Sequence, residues 1–230
     1  MPTGGIMTGS VLRQVRKQVG LTQVGAAERF GLSQPLFAAM ETGRRSVTAA
    51  LAERVVVEFG LSPVHLPFTV LRATEDQLAG NLAALGYPGF SHFTGKLRNP
   101  AEVLFDALNR ENLDARLVEA LPWLPLKFPD MDWEWLYQQA KLHNQQNRLG
   151  FIVMLAAKAA LAMGQSSLAS DLYHAMHPLY EARLAKCDTL CQASWPPSMR
   201  QYAHRARTRL ATFWNLDTRL KETDLAYLSA

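Results

Sequence analysis

Cysteine is scarce in this sequence: Cys187 and Cys191 are the only two among 230 residues. Two cysteines cannot form the framework of several disulfides that is typical of small secreted domains. In a helix their four-residue spacing would place both on one face, which is poor geometry for a disulfide. We therefore expect a reducing compartment and a cytoplasmic protein.

Long apolar segments are also lacking. The longest, residues 151–163, is interrupted by Lys158 and is shorter than the roughly 20 residues that a membrane-spanning helix needs. The first ten residues, MPTGGIMTGS, lack the charged and apolar regions of a signal peptide. We expect no membrane contact and assign residues 151–163 to a buried helix.

Motifs of enzymes and metal sites are missing as well. The sequence has no H-E-x-x-H helix, G-x-S-x-G elbow or Walker-type loop, so we expect no enzymatic activity and no cofactor. His174 and His177 lie three residues apart and could join the two cysteines in a zinc site. However, ten residues of helix between His177 and Cys187 would span about 15 Å, too far for one tetrahedral site. We therefore expect no metal.

Strand-like alternation of apolar and polar residues is scarce, whereas apolar residues recur at helical spacing, so the sequence predicts an all-α fold. Prolines 63 and 67 and the segment GYPGFSHFTG punctuate the middle of the chain. We predict an N-terminal five-helix-type bundle at 1–66, a linker or hinge with a short helix at 67–98, and a larger α-helical domain at 99–230.

The larger domain is divided by its apolar pattern and its prolines. A helix follows Asn99, and a long one beginning after Asp132 is expected to continue to Met163. Further helices are expected at 165–176, 178–192 and 198–214, with Pro178 starting or kinking one of them. The polar block HNQQNR, residues 143–148, suits a buried hydrogen-bond network, a ligand pocket or a solvated helix face.

The most informative segment is residues 23–40, QVGAAERFGLSQPLFAAM. Ala27 is its fifth residue and allows a second helix to cross closely. Gly31 is its ninth and can adopt the positive φ that ends a helix. Ser33 offers an N-cap oxygen to the next helix, and Pro35 suits its first turn. This pattern predicts a helix-turn-helix, a motif that binds double-stranded DNA.

The second helix of this motif has a buried and an outward face. Phe37 and Met40, one helical step apart, are expected to anchor it to the core. A Gln at the start of such a helix can both donate to and accept from adenine in the major groove. The predicted outward residues are Gln34, Pro35, Ala38, Ala39 and Thr42.

From Val11 to Leu61 the sequence resembles the Cro/CI-type (XRE) helix-turn-helix family. Gly20-Leu21-Thr22-Gln23, Ala27, Gly31, Ser33-Gln34 and Glu41-Thr42-Gly43 all stand at that family's spacing. The resemblance implies that Gln23 contacts the DNA backbone and supports the reading side chain, and that Gln34 reads a base. It also implies a structural ion pair between Arg16 and Glu41. The resulting DNA-binding set is Gln23, Ser33, Gln34, Pro35, Ala38, Ala39, Thr42, Arg44 and Arg45.

The charge distribution agrees with this partner. The net charge is +4, and before Pro67 there are seven basic residues against four acidic ones. Because this chain has Pro35 and Ala39 where the family often has polar side chains, we expect DNA shape, Arg44 and Arg45, and dimer spacing to contribute to specificity. A second basic patch, interpreted as a solvated face, a phosphate contact or a docking surface for an acidic protein, comprises Arg200, Arg205, Arg207 and Arg209.

The sequence therefore predicts a transcriptional regulator, specifically a repressor that binds operator DNA as a homodimer. The larger domain would dimerise and receive a signal; residues 149–163 and a stripe through Tyr180, Leu184, Cys187 and Cys191 are candidates for core or dimer surface. Two alternatives stay open. One is an antitoxin or a regulator of a phage-defence operon whose C-terminal domain binds a partner protein. The other is a regulator that senses a small molecule or peptide.

Overall fold

The computed structural model describes residues 7–69 and 72–225. It is mostly helical, which confirms the predicted all-α class, and the chain splits into two compact units, Met1–Thr69 and Val70–Ala230. Within the described ranges, no helix has both the length and the apolar character that crossing a membrane requires.

The N-terminal unit consists of short helices, three of which begin after a threonine cap. The hydroxyls of Thr8, Thr22 and Thr48 each accept a hydrogen bond from a backbone N–H in the first turn of the helix that follows, as N-cap residues do. The elements are α1 (Gly9–Gln18), α2 (Gln23–Phe30), α3 (Gln34–Glu41), α4 (Ala49–Phe59) and a 3₁₀ turn (Pro63–His65).

The core of this unit is made by the small and apolar residues that the sequence pattern selects. Ala27 of α2 is 1% exposed, and Phe37 of α3 is completely buried, so both belong to the core of the unit. Phe30 packs edge to face on Phe59 of α4, with ring centroids 5.5 Å apart. The Phe30–Phe59 contact joins α2 to α4, and α3 packs on α1 and α2.

The second unit is larger and contains one small parallel sheet, in which β1 pairs with β2. In chain order its elements are α5 (Glu75–Ala84), a 3₁₀ turn (Pro88–Phe90), α6 (Pro100–Leu108), α7 (Ala115–Ala120), α8 (Trp123–Lys127), α9 (Trp133–Leu142), α10 (Gln146–Ala162), α11 (Ser166–Glu181), β1 (Asp188–Thr189), α12 (Pro197–Arg205), α13 (Arg209–Phe213), β2 (Leu216–Asp217) and a 3₁₀ turn (Glu222–Asp224).

Residues 72–98, which the sequence predicts to be a linker with a short helix, carry α5 and lie in this second unit. The backbone N–H of Ala73 donates to Asp106 Oδ2 at 2.9 Å, and Arg110 donates to the Ala73 carbonyl. Arg98 contacts Glu102 at 2.9 Å and Asp106 at 3.5 Å. Buried ion pairs thus join this segment to α6.

Helix α10 is the centre of the second unit and packs on α11, α8, α9 and α13. Residues on nearly all of its sides are buried up to Ala160, as expected for this apolar segment, whereas residues 161–163 at its end are exposed. Gly150 allows a close approach, because a Cβ built there would lie 2.2 Å from Cη2 of Trp214. The Trp214 ring, fully buried, therefore packs directly against the backbone of α10.

Two predicted helix boundaries are wrong. The helix expected from 132 to 163 ends at Leu142, because Asn144 adopts φ 56° and breaks it before α10 starts. The helices predicted at 165–176 and 178–192 are also divided wrongly, because α11 runs from Ser166 to Glu181 with Pro178 inside it. Pro178 is exposed, so water can satisfy the carbonyl that a proline leaves without its helical partner.

The region after α11 also differs from expectation. Residues 182–196 contain the short strand β1 but no helix. Tyr180, Leu184, Cys187 and Cys191 therefore form no helical stripe. The helix predicted at 198–214 divides into α12 and α13, because Thr208 caps a new helix by accepting from Ala211 N–H. Cys187 is exposed and Cys191 is buried.

The polar block at 143–148 divides: His143 and Asn144 are exposed, whereas Asn147 and Arg148 at its end form a buried hydrogen-bond network, one of the three interpretations left open by the sequence. Asn147 donates to the Leu184 carbonyl and accepts from the Leu184 N–H, both at 2.9 Å. Arg148 Nη1 donates to the carbonyls of Leu108 and Arg110 at 2.8 and 2.6 Å. This network holds the non-helical 182–196 segment and the end of α6 against α10.

Candidate nucleic-acid interface

The turn between α2 and α3 is made by Gly31. It adopts φ 67° and ψ 35°, and the N–H of Leu32 returns to the Ala27 carbonyl at 2.8 Å. Residues with a side chain seldom adopt this left-handed conformation, so the glycine allows the sharp change of direction at little cost. Helix α3 then begins at Gln34.

Ser33 occupies the N-cap position of α3, but its hydroxyl makes no capping hydrogen bond. The expected cap oxygen is therefore not used inside the protein. A capping side chain normally accepts from the second or third N–H of the helix. Pro35 stands in this first turn and has no N–H to offer. The exposed Ser33 hydroxyl is available at the tip of the motif.

A hydrogen-bond chain of four side chains connects helices α1, α2 and α3. Arg16 of α1 donates to both oxygens of Glu41, from Nε at 2.6 Å and from Nη2 at 3.2 Å. Gln23, the first residue of α2, donates through Nε2 to Glu41 Oε2 at 2.7 Å. Gln34, the first residue of α3, donates through Nε2 to Gln23 Oε1 at 3.0 Å.

The direction of every bond in this chain follows from Glu41. A carboxylate only accepts hydrogen bonds, so Gln23 must turn its NH₂ group toward Glu41. The carbonyl oxygen of Gln23 is then left for Gln34, whose NH₂ group must point back toward Gln23. One ionised side chain in the core thereby sets the orientation of an amide on the outward face.

Glu41 is well suited to remain ionised. Burial by itself would raise the pKa of its carboxyl, but hydrogen bonds from Arg16 and Gln23 and the nearby Arg16 charge outweigh burial. The pKa therefore lies below the ordinary value of 4.5. The side chain of Glu41 is only 1% exposed and that of Arg16 is 11% exposed, so this pair is buried rather than a surface ion pair.

The remaining residues of the expected DNA-binding set divide by exposure. Gln23, Gln34, Ala38 and Ala39 are half-buried, while Ser33, Pro35, Thr42, Arg44 and Arg45 are exposed. Thr42 donates its hydroxyl hydrogen to the carbonyl of Ala38 at 3.0 Å, which leaves its oxygen as an acceptor. Arg44 and Arg45 follow the end of α3, where the Arg45 N–H returns to the Ala39 carbonyl.

The basic residues of this unit do not all serve the same purpose. Arg29 pairs with Glu58, and Arg54 donates to the Phe30 carbonyl at 2.9 Å while lying over the Phe30 ring. These arginines brace α2 against α4. Arg29 and Arg54 are themselves exposed, so neither the sequence count of charges nor exposure alone separates them from Arg13, Lys17, Arg44 and Arg45.

The second basic patch lies in the C-terminal unit. Arg207 makes an ion pair with Asp217 at 3.8 Å, and Arg200 donates to the Ala193 carbonyl. Arg205 and Arg209 are exposed. Internal contacts thus engage two of the four arginines that the sequence grouped together.

Comparison with known protein families identifies the class of the N-terminal unit. Residues 9–67 match a family model described as a helix-turn-helix domain, and the match does not extend into the second unit. The N-terminal segment is thus a helix-turn-helix domain of the DNA-binding Cro/CI type, which confirms the resemblance read from its spacing. Comparisons with curated proteins and with solved structures give no match.

Proposed function

We propose that this protein is a cytoplasmic transcriptional regulator that binds double-stranded DNA in a sequence-specific manner and acts as a repressor. Helix α3 enters the major groove with its N-terminal end toward the bases, as recognition helices do. The observation that carries the proposal is the hydrogen-bond chain from Arg16 through Glu41 and Gln23 to Gln34. It holds a polar reading side chain in place on a helix-turn-helix.

Gln34 has the chemistry to read adenine. Its NH₂ group has two hydrogens, and the bond to Gln23 uses one of them. The second hydrogen can be donated to adenine N7 while Oε1 accepts from N6, a bidentate contact worth about 1–3 kcal/mol of discrimination. Because Gln23 restrains Gln34 before DNA arrives, less conformational entropy is lost on binding.

The other residues of the face have complementary roles. Ala38 and Ala39 are suited to thymine methyl groups, which are read by apolar contact. Arg44 and Arg45 supply positive charge beside α3 for phosphates, and such contacts position a protein without reading sequence. The proposed surface is completed by the exposed hydroxyl oxygens of Ser33 and Thr42 and by the accessible parts of the Gln23 and Pro35 side chains.

We further propose that the protein binds as a homodimer. One small module makes few base contacts, whereas a two-fold dimer reads two half-sites about 34 Å apart. Helix α10 is buried in its own unit, so the dimer surface has to come from other elements.

The test is selection of bound duplexes from a random-sequence DNA pool by the full chain, followed by affinity measurement in defined salt. The expected outcome is an enriched inverted repeat with adenine at one position of each half-site, bound by two chains in sedimentation. Equal affinity for the selected and the shuffled duplex would contradict sequence-specific binding.

A cleft in the second unit supports the sensing alternative. It has a volume of about 360 Å³ and is lined by Val118, Trp195, Met199 and Leu220 together with Glu119 and Arg219. Small-molecule sites combine an apolar lining with a few polar groups in this way. A ligand of this cleft would have to change operator affinity by the same factor by which DNA changes ligand affinity. For the antitoxin alternative, copurification of an unrelated polypeptide is the corresponding test.

A further inference from the structure

Three metal-ligating side chains meet on the surface of the second unit. They are Cys187, just before β1, His204 in α12, and Asp217 in β2. Their ligand atoms all lie within 4.8 Å of one another. Each comes from a different element, and the sequence argument missed the group because it searched for ligands at helical spacing.

The separations within the group suit a single small cation. Asp217 Oδ1 lies 2.8 Å from His204 Nδ1 and 3.3 Å from Cys187 Sγ. In a tetrahedral zinc site with bonds of about 2.0–2.3 Å, neighbouring ligand atoms are roughly 3.3–3.5 Å apart. The two separations from Asp217 lie within about half an ångström of that range, and all three ligand atoms lie close enough together, within 4.8 Å, for side-chain rotation to bring them around one ion.

Backbone structure, and not only side-chain attraction, holds the group together. The parallel pairing aligns Asp188 with Leu216 and Thr189 with Asp217, which brings Cys187 to the start of β2. Helix α12 packs on β2 and brings His204 to the same place. The ligand positions are thus organised before any ion binds.

We propose that Cys187, His204 and Asp217 form a binding site for Zn²⁺. Thiolate, imidazole and carboxylate are the three ligand types that zinc takes in proteins, and three protein ligands leave a fourth position for water. The Cys187 thiol binds as the thiolate, so each ion that enters releases that proton to solvent. The side chain of Asp217 is 15% exposed and that of His204 is 51% exposed, which gives the ion a path from solvent.

Arg207 controls this site. Its Nη1 lies 3.6 Å from Cys187 Sγ and 3.8 Å from Asp217 Oδ1, and its Nη2 lies 3.1 Å from His204 Nε2. The guanidinium occupies the position of a competing cation. It must move aside when Zn²⁺ binds, so removing its charge should tighten zinc binding.

Zinc binding would add a shared ligand to elements that are already packed together. The 182–196 segment, α12 and β2 would share one ion in addition to their hydrogen bonds. Because the ion would bind the folded unit and not the same geometry in the unfolded chain, it would stabilise this unit by linkage.

The test measures Zn²⁺ binding to the full, reduced chain, purified without a histidine tag, by equilibrium dialysis and calorimetry. The expected result is one Zn²⁺ per chain. Cys187→Ser, His204→Gln and Asp217→Asn should each weaken binding at least ~10-fold, and Arg207→Gln should tighten it. His174→Gln is the matched control, because His174 is an exposed histidine on α11 outside the group.

A second readout does not depend on any variant. Cys191 is fully buried, so a thiol reagent added to the native protein reports on Cys187, and Zn²⁺ should slow that reaction. Circular dichroism of each variant shows whether it is folded. The proposal would be overturned if the parent bound Zn²⁺ no more strongly than the three ligand variants do. It would also be overturned if Zn²⁺ did not protect the Cys187 thiol.

Discussion

Gln34 donates a hydrogen bond from Nε2 to Oε1 of Gln23, 3.0 Å away. The first residue of α3 is therefore held by the first residue of α2. Gln23 is in turn oriented by Glu41, which is buried in the unit. A side chain on the proposed reading surface thus has its orientation set by a charge in the core.

Replacing Gln34 by Ala should relax specificity at one base step of each half-site. The adenine there should lose about 1–3 kcal/mol of discrimination, because the bidentate contact is removed. Affinity for the selected operator and for its single-base variants, measured at fixed salt, checks this. Gln138→Ala on the exposed face of α9 is the control and should leave the profile unchanged. An unaltered profile for Gln34→Ala would assign base reading to another residue.

Arg44→Ala should weaken binding to every duplex by a similar factor. If Arg44 neutralises one phosphate, its loss should reduce the slope of log K against log salt by about 0.9. Titrations of operator and shuffled DNA between low and moderate salt give both slopes. Loss of affinity for the operator alone would instead indicate that Arg44 contacts a base.

Glu41 should make the stability of the N-terminal unit depend on pH in the acid range. Its folded-state pKa lies below the ordinary 4.5, so below that pH the unfolded chain binds more protons than the folded one. The stabilisation from ionised Glu41 is therefore present above about pH 4.5 and is lost as the pH falls through the folded-state value. In Glu41→Gln this contribution to the change of the unfolding free energy with pH should disappear.

The measurement must be specific to the N-terminal unit. All tryptophans and tyrosines lie beyond residue 69, so their fluorescence reports on the second unit. Hydrogen exchange of peptides from α1, α2 and α3 at several pH values gives the local opening free energy instead. Glu28→Gln on the exposed side of α2 is the matched control. If the opening free energy changed equally with pH in Glu41→Gln and in Glu28→Gln, the proposed role of Glu41 would be excluded.

Gly150→Ala should destabilise the second unit by about 1–3 kcal/mol, the usual cost of overpacking a filled core. The added Cβ would lie 2.2 to 2.5 Å from Cη2, Cζ3 and Cζ2 of Trp214. Trp214→Phe removes part of that ring, so the double variant should lose less stability than the sum of the two single changes. Denaturant unfolding followed by fluorescence tests this, and strict additivity would contradict direct contact.

The parts of the motif that depend on local chemistry could be predicted from the sequence. Gly31 ends α2 in the left-handed conformation, and Pro35 lies in the first turn of α3. Each of these features depends on residues within a few positions of one another. The same is true of the face of α3, since Phe37 and Met40 determine which residues are buried.

Features that depend on distant residues could not be predicted in this way. The break at Asn144 accompanies buried contacts of Asn147 with Leu184, 37 positions away. Cys187 reaches Asp217 because two residues of β1 pair in parallel with β2. Neither strand is long enough to show alternation, so the sequence carries no local signal for either juxtaposition.

Arg148 ties the surface loop that contains Cys187 to the interior of the second unit. The guanidinium bonds the carbonyls of Leu108 and Arg110 and also Asp188, which it contacts at 2.7 Å from Nη2. If the loop left its position, a buried charge would lose its counterion, and such a loss is strongly destabilising. The loop and the interior of the unit should therefore unfold as one cooperative element. Because Asp188 directly follows Cys187 and pairs with Arg148, a chemical change at Cys187 can affect the interior through that ion pair.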